Sequence, residues 1–387
     1  MKGRHILILL VLVAMFGAIG LFVHQRSQSE WAQSAAPAGA KVLDFPINDV
    51  ARVVIRGKDG QINVAKKSDV WVVEEKADYP ANFERTSRLL RELWELHPVQ
   101  ELNVGRSQFS RLELVEPGQS DKPGTVVELK DKNGKTLATL VAGKQNMRTS
   151  EGPRQFPIPT GRYVLAPQTG KVALVNQTLD VDPKPESWVK RDFVKINNPS
   201  SITLSSQTPE KHWTLTRSDA KADWKLADAK PNEELDKTTT VSFPTVLSSS
   251  TFADVLPPDA KPEEHGLDKP DVLTIHTFDG FTYVLKIGKA DSNNYPVAVS
   301  VSANLVKDRR PGPEEKPEDK AKNDQEFDKK LKELEEKAAS EKAMESRIYL
   351  VPKFTLDPFL KDRMALLTKP TATPSPSLSA SPGRKKS

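Results

Sequence analysis

Cysteine is absent from this 387-residue chain. Its absence excludes disulfide bonds, thiolate nucleophiles, cysteine-ligated metals and a lipoprotein anchor. The common catalytic signatures are missing as well: the chain has no GxGxxG or GxxxxGK[ST] loop, no HExxH and no GxSxG. None of the histidines pair at metal-ligand spacing; they are His5, His24, His97, His212, His265 and His276. The sequence predicts no catalytic, cofactor-binding or metal-binding residue, and we expect a protein that is not an enzyme and carries no cofactor.

An excess of one charge sign is also missing. The chain has 57 basic and 52 acidic residues, a formal net charge of +5, and the two signs are mixed along its length. A nucleic-acid-binding protein usually shows a basic stripe with aromatic residues among it. The clearest basic cluster here is the short tail segment 384–386. We therefore expect no nucleic-acid partner.

One long uncharged apolar run is present, Ile6–Val23. At ~1.5 Å rise per residue, a helix of this length crosses a ~30 Å hydrocarbon core. Lys2 and Arg4 precede the run, which favours a cytoplasmic N-terminus and an exported body. Residues 1–24 are thus predicted to be a single-pass transmembrane anchor, with the lipid bilayer as its partner.

Residues 25–42 are rich in Gln, Ser and Ala and are typical of a flexible linker. A cleaved signal peptide is the alternative interpretation of the N-terminus. Its small-residue cleavage site would fall at 34–36, far beyond the end of the apolar run, whereas signal peptidase sites follow the apolar region directly.

The remaining sequence shows the same order of signals twice, in 43–197 and in 198–368. Each copy begins with short alternating strands, continues through a tryptophan strand to a proline, and later has a hairpin, a Gly-Lys pair and an Asp-Pro. The matched tryptophans are Trp71 and Trp224; these, with Trp188 and Trp213, are predicted to pack in the core rather than stack on a ligand. The sequence predicts an α+β fold with two tandem, duplicated, mainly antiparallel β-rich domains, each with a packed helix.

Local signals specify parts of each copy. In the first, Asn82 is a plausible N-cap for an amphipathic helix that must end before Pro98. In the second, Pro244 should kink or split the corresponding helix. Asn133-Gly134 and Asp279-Gly280 predict tight hairpins in which both turn residues adopt positive φ.

The second copy carries an insertion, 303–346, where the first has a four-residue turn, Gln168–Lys171. Phe327, Leu331, Leu334 and Ala338 follow helical spacing within its Lys- and Glu-rich part. Two interpretations stay open: a charged excursion without a role, and an arm that docks a partner. The Pro- and Ser-rich tail 369–387 is predicted to be disordered.

The order of motifs resembles a bacterial family called domain of unknown function 4340. The resemblance is carried by Asp44–Val50 (DFPINDV), the RVVIR strand after it, the tryptophan strand and Asp78–Ala81 (DYPA), and it extends over about residues 43 to 366. The family is one of single-span exported proteins, many of them encoded beside ABC-2 type transport systems, including gliding-motility systems. It has no assigned catalytic residues, and the charged insertion departs from its pattern.

The resemblance implies a bacterial cytoplasmic (inner) membrane protein with its N-terminus inside, its body in the periplasm and an ABC-type transport complex as partner. Three functions are consistent with the sequence. The first is an accessory or scaffold subunit of a membrane complex, the second a module that binds an envelope glycan or a transported substrate. The third and least favoured is a hydrolase using two carboxylates, whose spacing only the fold could reveal.

Overall fold

A computed structural model describes residues 34–35, 40–150, 155–231, 233–291, 293–311 and 315–368. The chain forms two compact units that divide between Lys190 and Arg191. Each unit is built on one antiparallel sheet with few helices, so the fold class is α+β, as predicted. The predicted anchor 1–24 and tail 369–387 lie outside the described residues, and within those residues no helix combines the length and apolarity that a bilayer span requires.

The first unit contains a ten-stranded sheet in the order β1-β6-β10-β9-β8-β7-β2-β3-β4-β5. Its strands are β1 Ser34–Ala35, β2 Arg52–Gly57, β3 Gly60–Lys67, β4 Val70–Val73, β5 Tyr79–Pro80, β6 Gln100–Leu102, β7 Thr125–Lys130, β8 Thr136–Thr149, β9 Pro157–Ala166 and β10 Lys171–Val175. Val126, Val141, Leu165 and Val172, from four neighbouring strands, form a buried cluster with Leu114. The alternation of these β-branched and aliphatic residues therefore builds one side of the core.

The predicted helix of the first unit is confirmed as α1, Phe83–Trp94. The Asn82 side chain caps it by accepting a hydrogen bond from the Arg85 amide at 3.0 Å. Leu89, Leu90 and Leu93 form its buried stripe.

In each hairpin turn one residue adopts positive φ, whereas the sequence predicted two. Gly134 and Gly280 have φ of +82° and +85°, whereas Asn133 and Asp279 do not adopt positive φ. In the first hairpin, a register shift between Leu129 and Lys130 absorbs the extra turn residue, so only the glycine must be left-handed.

The second unit contains an eight-stranded sheet in the order β13-β12-β11-β15-β16-β17-β18-β14. Its strands are β11 Pro199–Ser205, β12 Trp213–Thr216, β13 Lys225–Leu226, β14 Asp254–Val255, β15 Asp271–Thr277, β16 Phe281–Ile287, β17 Asn294–Ala303 and β18 Ile348–Pro352. The unit begins earlier than the predicted boundary at residue 198. The Phe193 amide donates to the Ser250 carbonyl at 3.1 Å, and its ring lies 5.4 Å from that of Tyr349.

Helices in the second unit differ from the prediction of one packed helix in each copy. The helix predicted before Pro244 is limited to α2, Lys237–Thr240, and the chain continues in turns around Pro244, which cannot donate a helical hydrogen bond. The long helix of this unit is α3, Pro317–Lys342, within the insertion between β17 and β18; a short helix, α4, follows at Lys353–Leu356.

The two sheets share one chain order. Without β1 and β5, the first reads β6-β10-β9-β8-β7-β2-β3-β4 and the second reads β14-β18-β17-β16-β15-β11-β12-β13, so each strand has a counterpart in sequence order.

Gly143 and Gly288, the glycines of the two Gly-Lys pairs, both lie where another backbone segment approaches closely. A Cβ would lie 2.4 Å from the Leu112 carbonyl oxygen at the first, and 2.1 Å from the His265 carbonyl oxygen at the second. In each unit the glycine lets a 3-10 turn approach the sheet closely.

Candidate functional site

The histidines considered as metal ligands occupy separate places. The Nδ1 atom of His97, after α1, is 2.6 Å from the Glu95 carbonyl oxygen, and that of His276, on β15, is 2.9 Å from Thr282 Oγ1. Within the part of the chain that the structure describes, no group of three or more His, Cys, Asp or Glu residues could hold a metal ion. Of the four tryptophans predicted to pack in the core, Trp188, Trp213 and Trp224 are buried and Trp71 is half-buried.

Helix α3 is the most distinctive element of the second unit. It has 26 residues, which corresponds to a length of about 39 Å. Phe327, Leu331, Leu334 and Ala338 are half-buried along one stripe, as their spacing predicted, while most of the surrounding Lys and Glu residues are exposed. The helix therefore lies against its own unit on one side and presents a charged face to solvent on the other.

A buried polar cluster, formed by Tyr283, Lys337 and Glu341, holds the C-terminal part of α3. Glu341 is only 6% exposed and its carboxylate accepts three hydrogen bonds. The donors are Lys337 Nζ at 2.9 Å, the Tyr283 hydroxyl at 2.8 Å and the backbone amide of Lys195 at 2.8 Å. A side chain of β16, a side chain of α3 and a backbone amide before β11 thus all donate to the Glu341 carboxylate.

Lys337 completes this cluster. Its Nζ also donates to the Tyr283 hydroxyl and lies 4.2 Å from the centroid of the Phe281 ring. Burial, followed by the negative charge of Glu341, raises the pKa of the Tyr283 hydroxyl above its ordinary value. The phenol therefore stays protonated and donates to Glu341, so the three side chains form one hydrogen-bonded clamp between α3 and β16.

A second ionic cluster holds the N-terminal part of α3. Arg309, whose side chain is 16% exposed, donates from Nε to Asp324 at 2.6 Å and from Nη1 to Glu315 at 2.9 Å. Between the two clusters, Lys330 Nζ lies 3.2 Å from an oxygen of Asp279. The N-terminal part of α3 is therefore tied to the loop before it, and Lys330 adds an exposed contact to the sheet side of the unit.

Sequence reasoning did not identify Lys337 and Glu341. They form one of several Lys–Glu pairs at i, i+4 on α3, and others, such as Lys322–Glu326 and Lys332–Glu336, are exposed. Nothing in the local sequence marks the third pair as buried, because its burial depends on a tyrosine from a strand far along the chain.

Comparison with known protein families identifies the family of this chain. The family described as Domain of unknown function (DUF4340) matches residues 71–270, more than half of the chain. The chain belongs to this family. The DUF4340 match begins on β4 of the first unit and ends just before β15 of the second, so the insertion with α3 lies outside it. No curated protein and no solved structure matches the chain.

Proposed function

We propose that this DUF4340 protein is a non-enzymatic accessory subunit of a membrane transport complex of ABC type. Residues 1–24 anchor it in the bacterial inner membrane, and its two units stand in the periplasm. The observation that carries the proposal is the clamping of α3: a long helix is fixed by buried polar groups while it presents a charged face to solvent.

The energetics of the clamp favour a docking arm over a charged excursion without a role. Burying Lys337 and Glu341 requires their desolvation, and apolar residues of similar volume would stabilise the contact as well or better. Our hypothesis is that the ion pair is kept because it restricts α3 to the one position that satisfies all its hydrogen bonds. A defined position matters when a surface must match a partner.

The outer face of α3 suggests the nature of that partner surface. It carries both Lys and Glu, such as the exposed pairs Lys322–Glu326 and Lys332–Glu336. Mixed charges contribute to orientation and to discrimination between partners more than to affinity. We therefore expect a polar partner surface with alternating charges.

We also propose that the two units arose by tandem duplication. The support is the common strand order of the two sheets and the equivalent roles of Gly143 and Gly288. After duplication, the second copy would have acquired the insertion in a hairpin that is short in the first.

The absence of cysteine allows a direct test of topology and docking. A single cysteine in the Glu335→Cys variant lies on the exposed face of α3, and one in Lys2→Cys precedes the apolar run. We expect a membrane-impermeant maleimide to label the first in intact spheroplasts and the second only after lysis. Labelling of Glu335→Cys only after lysis would contradict a periplasmic body.

The same variant reports on the partner. With a thiol-linked photo-crosslinker, Glu335→Cys should form an adduct with an integral membrane protein in native membranes. Lys261→Cys is the matched control, because the Lys261 side chain is 74% exposed in the same unit but lies off α3. Identical adducts from both positions, or none from Glu335→Cys, would rule out docking through this face.

A further inference from the structure

A polar cavity of about 340 Å³ lies in the first unit, between residues 178–182, the start of β7 and the middle of β8 and β9. Its polar lining residues are Thr125, Gln145, Arg162, Thr178, Asp180 and Asp182. The volume is near the lower end of the range of small-molecule sites in proteins, about 300–1,000 Å³. It suits a ligand the size of a monosaccharide or an amino acid.

The guanidinium of Arg162 is under-coordinated in this cavity. Its Nη1 donates to the Leu179 carbonyl at 3.1 Å, whereas its Nε is buried without a partner. Among the residues that the structure describes, no carboxylate forms an ion pair with it. Burial lowers the pKa of Arg162, and the charges of Glu113 and Asp180 only partly oppose that effect. A buried donor of this kind is unfavourable unless something else accepts from it.

The two acidic residues of the cavity are already engaged. Asp180 lies 2.7 Å from Arg85 Nη2. The Asp182 carboxylate accepts from the Ser187 hydroxyl at 2.7 Å and from the Lys184 amide at 3.1 Å. Asp180 is thus paired with an arginine of α1 and Asp182 with neutral donors, and neither forms an ion pair with Arg162.

An irregularity in the sheet places Arg162 there. The β8–β9 ladder shifts register on both sides of the Gln145–Arg162 pair, between Ala142 and Gln145 and between Asn146 and Met147. Bulges of this type re-aim side chains and occur often beside binding sites. In the second unit, β17 is the strand that takes the place of β9, and it carries no arginine, so the guanidinium belongs to the first unit alone.

We propose that this cavity binds the carboxylate of a small ligand, with Arg162 as its counter-ion and Gln145, Thr125 and Thr178 as hydrogen-bonding partners for the rest of the molecule. A carboxylate is a charged acceptor that pairs favourably with a guanidinium, and Arg162 has donors beyond the one that bonds Leu179. This site is independent of the accessory role assigned to α3.

The carboxylate could belong to an acidic sugar or to an amino acid or peptide terminus, and a binding titration distinguishes these two sources. The full-length protein in mild detergent is titrated calorimetrically with D-glucuronate and D-glucose, and with L-alanine and L-alaninamide. In each pair the second compound lacks the carboxylate. We expect one carboxylate compound to bind at least about tenfold more tightly than its neutral partner, as for a hydrogen-bonded charge. Binding of glucuronate indicates an acidic sugar, and binding of alanine an amino acid or peptide terminus.

Variants then assign the effect to Arg162. Arg162→Gln should abolish the preference for the carboxylate, and Arg162→Lys should retain part of it, since lysine keeps the charge but not the fork. Arg88→Gln, at an arginine whose side chain is 59% exposed on α1, is the matched control and should bind as the native protein does. If Arg162→Gln does not fold, Thr178→Ala at the exposed rim should weaken binding. The proposal would be overturned if each neutral compound bound as tightly as its carboxylate partner, or if neither carboxylate bound. Unchanged binding of the carboxylate by the Arg162 variants would also overturn it.

Discussion

Replacing Glu341 by alanine should lower the free energy of unfolding of the second unit by about 2–4 kcal/mol. The change removes the acceptor of three hydrogen bonds and leaves Lys337, Tyr283 and the Lys195 amide without it. We expect a smaller loss of stability than the largest values for buried ion pairs, because the Lys337 side chain is 23% exposed and can reach water. The measurement is urea unfolding of the full-length protein, with hydrogen exchange to assign the transition to a unit.

Hydrogen exchange also gives the more specific result. The amides of α3 should exchange faster in Glu341→Ala, since the helix is released from β16, while those of the first unit should be unchanged. Glu336→Ala is the matched control. Glu336 lies on the same helix with a side chain that is 70% exposed, and its loss should change stability by less than about 0.5 kcal/mol. Equal effects of the two variants would show that the cluster does not hold the helix.

Alanine at Gly143 or at Gly288 should destabilise the corresponding unit by about 2–3 kcal/mol. At Gly143 the new Cβ would lie 2.4 Å from the Leu112 carbonyl oxygen, and at Gly288 it would lie 2.1 Å from that of His265. Both contacts are with backbone, which cannot rotate away as a side chain can. The 3-10 turn must therefore move off the sheet or the strand must shift.

Gly105→Ala provides the matched control for these two variants. Its Cβ would meet nothing closer than the Ser107 hydroxyl at 3.9 Å, and its φ is not positive. The substitution should change the free energy of unfolding by less than about 0.5 kcal/mol. A loss at only one of Gly143 and Gly288 would contradict equivalent roles in the two units, and with them the strongest local support for duplication.

Features with local causes could be predicted from the sequence. Asn82 identified the start of α1 because its side chain caps the amide three residues later. The spacing of Phe327, Leu331, Leu334 and Ala338 predicted α3, and Pro244 predicted the disruption of the helix in the second unit. Each of these signals acts within a few residues, so the chain alone carries it.

Features that depend on distant residues could not be predicted. Glu341 is buried because Tyr283 and Lys195 meet it there, from positions 58 and 146 residues away. Arg162 faces a cavity where the β8–β9 ladder shifts register. Gly161 beside it is a local signal of a bulge, because a glycine inside a strand often marks one, but it does not indicate what the strand faces. The position of the turn at Asn133-Gly134 was predicted correctly, but its conformation was not. A register shift between β7 and β8 removes the need for positive φ at the asparagine.

The accessory-subunit account is tested most directly by purifying the full-length protein from native membranes after mild crosslinking and quantifying what accompanies it by mass spectrometry. The account predicts an ABC-type permease or ATPase in near-stoichiometric amount. It also predicts loss of that partner from a variant in which residues 304–346 are replaced by a short turn like that of the first unit, Gln168–Lys171. Recovery of the protein alone, or of the same complex with the shortened variant, would contradict docking through α3.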